Sequence, residues 1–250
     1  MPVFNENDNS KSLDKYNNQK FTYSAEKIDL LGASEYTLVT IVADRSGSTS
    51  GFDKDMERTV KEIVRACSDS PRAENLLIRF VSFSNQTYEV HGFEQLAGID
   101  LNRYDGTLSP KGSTALYDAT INGVENLADF GSNLIKNDYE ANGIVFVITD
   151  GGENASTYSI NDVKKAFASA IKSESLESIT TILIGVNEAS NDQSIQAFAK
   201  DVNFTKFIGM PNVDKKSLAI LAQFVSQSIS STSQSLGSGS ASQSIQPPTF

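Results

Sequence analysis

Hydrophobic and polar positions change period along this chain in a regular order. Residues 36–43 (YTLVTIVA) are an apolar, β-branched run bounded by turn residues and too short to span a membrane, which predicts a strand buried on both faces. Over 53–67, Met56, Val60, Ile63, Val64 and Cys67 fall on one face of a helix. Residues 76–84 (LLIRFVSFS) read as a second buried strand. Residues 87–93 (TYEVHGF) alternate and follow Asn85-Gln86 closely, so they read as a hairpin partner at the sheet edge. A loop-rich stretch, 94–113, contains Gly98, Gly106, Pro110 and Gly112. Helix 115–130 follows, with Leu116, Thr120, Val124 and Leu127 in register. Then come strand 144–149 (IVFVIT), helix 159–173 with Ile160, Val163, Phe167 and Ile171 on one side, and strand 179–186 (ITTILIGV). A short helix at 192–200, a last strand at 205–209 and a helix at 214–229 carrying Leu218, Leu221, Val225 and Ile229 complete the order.

Apolar strands alternating with amphipathic helices require crossover connections. The expected fold class is α/β: a doubly wound, mostly parallel central sheet with one antiparallel edge strand and helices on both faces. Such sheets bind ligands beyond the carboxyl ends of their strands, where the strand order reverses. The positions to inspect therefore lie just after Ala43, Ser84, Thr149 and Val186.

The flanks differ from this core. Residues 1–34 are polar and Asn-rich with scattered Phe4, Tyr16, Phe21, Tyr23, Leu30 and Leu31, and read as an arm laid over the domain or over a neighbour. Residues 231–250 (STSQSLGSGSASQSIQPPTF) carry no charge and are dominated by Ser, Gly and Gln, which reads as a flexible tail. The expected organisation is thus a polar arm (1–34), a domain (35–230) and a flexible tail (231–250).

Composition narrows the function. Hydrophobic residues make up 39% of the 250 positions, enough for a sizeable core. The net charge of −10 argues against nucleic acid and anionic lipid as partners. One cysteine, Cys67, and one histidine, His91, exclude a disulfide framework and a Cys/His zinc site. His91 on an edge strand is expected to be surface or half-buried, and Cys67 to be a core thiol. No apolar signal-type or membrane-spanning run is present, so the expected location is cytoplasmic.

The remaining chemistry gathers on three predicted loops. The first strand ends in Asp44-Arg45-Ser46-Gly47-Ser48, the third buried strand ends in Thr149-Asp150-Gly151-Gly152-Glu153-Asn154, and Gly112-Ser113-Thr114 opens the helix between them. An Asp and two hydroxyls at alternate positions converge on one point if the chain turns sharply after Asp44, and Gly47 eases such a turn. Thr114 and Asp150 approach the same point from neighbouring loops. An all-oxygen set of this kind suits Mg²⁺ or Mn²⁺. The same Asp and serines also fit plain helix caps. Glu153 reads as solvent-exposed or as supporting Asp150, and Asp118 as a helix-surface or packing residue.

Asp44-x-Ser46-x-Ser48, then Thr114 in GSTALYDA, then Asp150 in FVITDGGENAS, resembles the von Willebrand factor type A domain over about residues 36–230. That family's signature is the metal-ion-dependent adhesion site, D-x-S-x-S…T…D. VITDGGEN is similar to runs in stand-alone bacterial members, including those associated with tellurite resistance. The resemblance implies that Asp44, Ser46, Ser48, Thr114 and Asp150 hold one divalent cation whose open position takes a partner's Asp or Glu. Arg45, Gly112, Ser113, Gly151 and Glu153 surround the motif and are the expected partner contacts. Arg45 stands inside the motif where many members differ, positioned to meet an acidic partner or a neighbouring carboxylate.

These observations imply a non-catalytic, metal-dependent protein-interaction module acting as adaptor or scaffold. Two alternatives remain at this level: a structural subunit with the metal site secondary, and a metal-dependent phosphohydrolase. The last is disfavoured by the lack of G-x-x-x-x-G-K-[ST] and G-x-G-x-x-G motifs, by Ser46 where a second acid would stand, and by the lack of an adjacent base.

Overall fold

Period and composition place each element, and pairing decides where it lies in the sheet. A computed structural model of the chain describes residues 13–172, 176–235 and 245–248. In chain order the strands and α-helices are β1 (Leu13–Asn17), β2 (Thr22–Glu26), β3 (Glu35–Asp44), α1 (Asp53–Ser68), β4 (Leu76–Phe83), β5 (Thr87–Gln95), α2 (Leu116–Lys136), β6 (Glu140–Thr149), α3 (Ile160–Lys172), β7 (Ile179–Val186), α4 (Gln193–Val202), β8 (Lys206–Met210) and α5 (Lys215–Ser235). Every strand and helix expected between residues 36 and 229 is present, with shifted ends.

The strands form one sheet in the order β1-β2-β5-β4-β3-β6-β7-β8. From β4 through β3, β6 and β7 to β8 all pairing is parallel. Antiparallel pairing is confined to the other side, between β4 and β5 and between β1 and β2. The apolar runs fill the middle because both faces there are covered. Along β3, Val39, Ile41 and Ala43 enter the layer formed with α1 and α5, while Leu38 and Val42 enter the layer formed with α2, α3 and α4. The chain leaves β3 for β4 on one side and reaches β6 on the other, so the strand order reverses around β3.

Two expectations about the flanks change. The segment read as a polar arm contains the hairpin β1–β2, which extends the sheet beyond β5, so 87–95 is antiparallel but not outermost. Tyr23 and Ala25 are buried, and Tyr23 meets Tyr16, Phe93 and Phe130 ring to ring. With only a few apolar side chains on two five-residue strands, the hairpin carries too little local signal to read as sheet. At the other end α5 continues to Ser235 instead of stopping at 229. Thr232 and Ser233 are buried there: Asn142 Nδ2 donates to the Thr232 carbonyl (2.6 Å), and the Ser233 and Thr37 hydroxyls are 2.9 Å apart. Small hydroxyl residues suit this position because they satisfy polar groups inside a tight layer. Ile245 packs against the α1/α5 layer. The flexibility expected of 236–244 and 249–250, the first twelve residues of the arm, and the expected helix end at Ser173 lie outside the described residues.

Candidate metal centre

Asp44 is the last residue of β3, and parallel pairing of β3 with β6 sets it beside Thr149. It is fully buried. Its Oδ1 accepts from the Ser46 backbone N–H (2.7 Å) and its Oδ2 from the Thr149 hydroxyl (2.8 Å). Beyond Asp44 the chain turns through a short 3₁₀ segment, Gly47–Thr49, with the Thr49 hydroxyl donating to the Ser46 carbonyl (2.8 Å). This turn brings the Ser46 and Ser48 hydroxyls within 2.9 Å of each other, and Ser48 Oγ donates to Asp150 Oδ1 (3.1 Å). Asp44, Ser46, Ser48 and Asp150 therefore converge from two strand ends.

The third loop is fastened to both others. Gly47 N–H donates to the Gly112 carbonyl (2.8 Å), and Lys111 N–H to the Arg45 carbonyl (2.8 Å). Thr114 N–H donates to Asn154 Oδ1 (2.8 Å), while Asn154 N–H returns a bond to the Thr114 carbonyl (3.0 Å). Gly112 has φ +75°, and a Cβ there would lie 1.9 Å from Asn85 Oδ1, the atom that accepts from Ser113 N–H (2.9 Å). Thr114 is thus buried beside the cluster through its backbone, and its hydroxyl is not joined to the other four groups by a hydrogen bond.

Burial holds the Asp44 carboxyl well above the usual carboxylate range; the Ser46 N–H bond opposes this and the like charge of Asp150 adds to it. Burial also raises Asp150, with the Ser48 bond opposing and Glu188 adding. Two neighbouring carboxylates removed from water need a counter-charge to remain ionised together. A hard divalent cation meets that need, and the donors are carboxylate and hydroxyl oxygens. Among the described residues no group of three His, Cys, Asp or Glu side chains gathers to form a metal site of another kind.

The residues expected to contact a partner divide. Arg45 meets no neighbouring carboxylate among the described residues; its guanidinium lies over the Tyr88 ring at 4.2 Å. Gly112, Ser113 and Gly151 lie on the loops around the cluster. Glu153 is half-buried and bonded within the protein: Oε1 accepts from Ala155 N–H (2.7 Å) and Ser156 N–H (2.6 Å), and Oε2 from Tyr117 N–H (3.0 Å) and the Ser156 hydroxyl (2.6 Å). Oε1 thus ties the loop's own backbone, and Oε2 ties the loop to the start of α2. Asp118 does similar work, accepting from the Thr157 and Tyr158 amides. His91 is corrected, being buried rather than half-exposed: Nδ1 donates to the Gly92 carbonyl (2.8 Å), which leaves Nε2 to accept from the Tyr104 hydroxyl (2.9 Å). Cys67 is a buried thiol whose pKa burial pushes up.

Sequence reasoning did not single out Thr149, Asn85, Asn154 or Tyr88. Thr149 became visible only through strand register. Asn85 and Asn154 carry the weak signal of amide side chains in turns, where such groups bond backbone.

No protein-family profile and no curated protein matches this chain. Solved structures do match in fold. The PilB minor pilin from Streptococcus sanguinis is 12% identical, with a TM-score of 0.56 over 83% of this chain and 64% of that one. Proximal thread matrix protein 1 from the mussel byssus, in a form with a zinc-occupied metal-ion-dependent adhesion site, is 17% identical with a TM-score of 0.53 over 79% of this chain and 46% of that one. The ArnB paralog VWA2 from Sulfolobus acidocaldarius is 16% identical with a TM-score of 0.50, over 81% and 48%. The chain spans about two thirds of the pilin's length (64%) and about half of the other two (46% and 48%). These likenesses show a von Willebrand factor type A-like fold.

Proposed function

We propose that this chain is a non-catalytic protein-interaction module that holds one divalent cation, Mg²⁺ or Mn²⁺, and uses it to bind a partner's Asp or Glu. The observation that carries this reading is the convergence of buried Asp44, Ser46 and Asp150 with the exposed Ser48 on one point, with Thr114 on the adjoining loop. If those groups are the ligands, carboxylates offset at most the ion's two charges and the hydroxyls are neutral. The bound ion then keeps enough electrophilic character to take an oxygen from outside. The zinc-occupied site of the mussel thread matrix protein, on the same fold, supports a divalent-cation site here. Two candidate bases are already engaged, which supports binding over catalysis: Glu153 accepts from Tyr117, Ala155 and Ser156, and His91 is buried against Gly92 and Tyr104. An adaptor or scaffold role, with the ion screening a like-charge contact to an acidic partner, fits the net charge of −10.

Calorimetric titration with Mg²⁺ and Mn²⁺ tests the site. The wild type is expected to bind, Asp44→Ala to lose binding, and Thr114→Ala to weaken it; equal responses from all three proteins would remove the ion from the proposal. Capture of a partner that chelator does not reduce would favour a structural subunit over a metal-dependent adaptor.

A further inference from the structure

Beside the cluster, Arg45 is arranged unlike an ordinary surface cation. It follows Asp44 directly, and its backbone is pinned on both sides: its N–H donates to the Phe83 carbonyl (2.8 Å) and its carbonyl accepts from Lys111 N–H (2.8 Å). The guanidinium lies over Tyr88, 4.2 Å from the ring centroid, and Tyr88 is itself 38% exposed. Nε is buried without an acceptor. The two terminal nitrogens carry no hydrogen bond among the described residues and reach the surface.

An arginine whose guanidinium lies over an aromatic ring gives up less freedom on binding, and its planar fork of donors matches the two oxygens of a carboxylate. Neither Arg45 nor the exposed Lys111 beside it has a carboxylate partner among the described residues, although the chain carries ten more acidic than basic side chains. Each of the five other arginines is paired: Arg58 with Asp55, Arg65 with Glu62, Arg72 with Glu35, Arg79 with Glu89 and Arg103 with Glu94. Two cations without a carboxylate partner among the described residues thus stand at this site: Arg45 within the loop that carries Asp44, Ser46 and Ser48, and Lys111 on the neighbouring loop, bonded to it through backbone.

We propose that Arg45, held on Tyr88, is a second anchor of the partner site, and that the partner is an acidic segment presenting two carboxylates, one to the cation and one to the guanidinium. This inference rests on the metal-dependent binding proposed above and adds to it the partner's chemistry. Lys111 contributes a weaker, undirected attraction to the same segment.

The test uses synthetic peptides in a glycine–serine frame, carrying one aspartate or two aspartates spaced by zero to four glycines, titrated onto the full chain with saturating Mg²⁺. A charge-assisted, two-pronged contact predicts that the best two-aspartate peptide binds about tenfold more tightly than the one-aspartate peptide. Arg45→Gln is expected to bring that ratio close to one. Arg45→Lys, which keeps the charge but loses the fork, and Tyr88→Leu, which removes the platform, are expected to give intermediate ratios. Thermal melting and titration with Mg²⁺ alone report whether each variant retains its fold and ion site. One-aspartate binding that needs Mg²⁺, with no gain from a second aspartate or with a gain that survives in Arg45→Gln, overturns the second anchor and leaves the metal reading standing. Failure of every peptide to show Mg²⁺-dependent binding overturns both.

Discussion

Asp44 is held by donors on both oxygens, and an asparagine in its place meets the same neighbours. Its Oδ1 would still accept from Ser46 N–H, and its amide would donate to Thr149 Oγ1, which in turn can donate to the Gly151 carbonyl (2.7 Å). The carboxylate itself is penalised by burial and by Asp150. Metal-free Asp44→Asn is therefore expected to be more stable than the metal-free wild type at neutral pH, by about 1–2 kcal/mol. It should at the same time lose its response to Mg²⁺; chemical denaturation with and without the ion measures both. His91 gives a separate expectation. Burial lowers its pKa, Arg103 adding to the effect while the Gly92 carbonyl and nearby carboxylates oppose it. As pH falls through the ordinary histidine value of about 6.5, the unfolded chain takes up a proton that the folded chain refuses. The contribution of His91 is thus fully present above that value and is lost as pH drops below it. Denaturation midpoints at about pH 7 and about pH 5 are expected to differ more for the wild type than for His91→Gln. A His91→Gln protein showing the same loss would exclude this residue as the cause.

At the level of elements, the hairpin β1–β2 is joined to β5 by close backbone approach rather than by a long ladder. One residue pair, Ala25 with Phe93, defines the strand contact. A Cβ on Gly92 would stand 2.1 Å from the Ser24 carbonyl oxygen, which is backbone and cannot swing aside. Glu89 ties the same region together, accepting from Ser24 N–H (2.9 Å) and from Arg79 Nε (2.8 Å). Gly92→Ala is therefore expected to push the hairpin off β5 at a cost of about 1–3 kcal/mol. Amide exchange should accelerate across β2, where Tyr23 and Ala25 are buried, and change little in β3 and β6; uniform acceleration across the sheet would contradict a local hinge. The two central strands and their helices were readable from period alone. This hairpin was not, because its stability comes from Phe93 and Phe130 on elements far away in sequence.

At the scale of the whole molecule, the proposed ion would be coupled to folding. The candidate ligands come from β3, from the loop before α2 and from the end of β6, so the arrangement exists only in the folded chain. An ion that binds the native state alone stabilises it by mass action, by about 2.7 kcal/mol at a free concentration a hundredfold above its dissociation constant. For a domain of this size that corresponds to a rise of about 5–10 °C in melting temperature. The rise is expected with Mg²⁺, is reversed by chelator, and is missing in Asp44→Asn; a wild type whose melting ignores Mg²⁺ would refute linkage between ion and fold. Among the described residues no helix is long and apolar enough to cross a membrane. The polar cleft of about 340 Å³ between the Asn18–Lys20 turn and helices α2 and α3 contains none of the candidate ligands.

By itself the sequence determined the element order, the alternation that demands a parallel sheet, and the five oxygen-bearing residues on three loops. Those features are local: a hydrophobic period and a spaced motif are written into neighbouring positions. Tertiary structure decided what depends on contacts between distant segments. Strand register put Thr149 against Asp44. Hydrogen bonds from Tyr117, Ala155 and Ser156 engaged Glu153, and the Tyr88 ring took the Arg45 guanidinium. Hairpin packing added two strands at one side of the sheet, and the β3/β6 layer buried Thr232 and Ser233 in what reads as a tail. A side chain's type is fixed by the chain, but whether its charge meets water, a ring or another charge depends on which surfaces the fold brings against it.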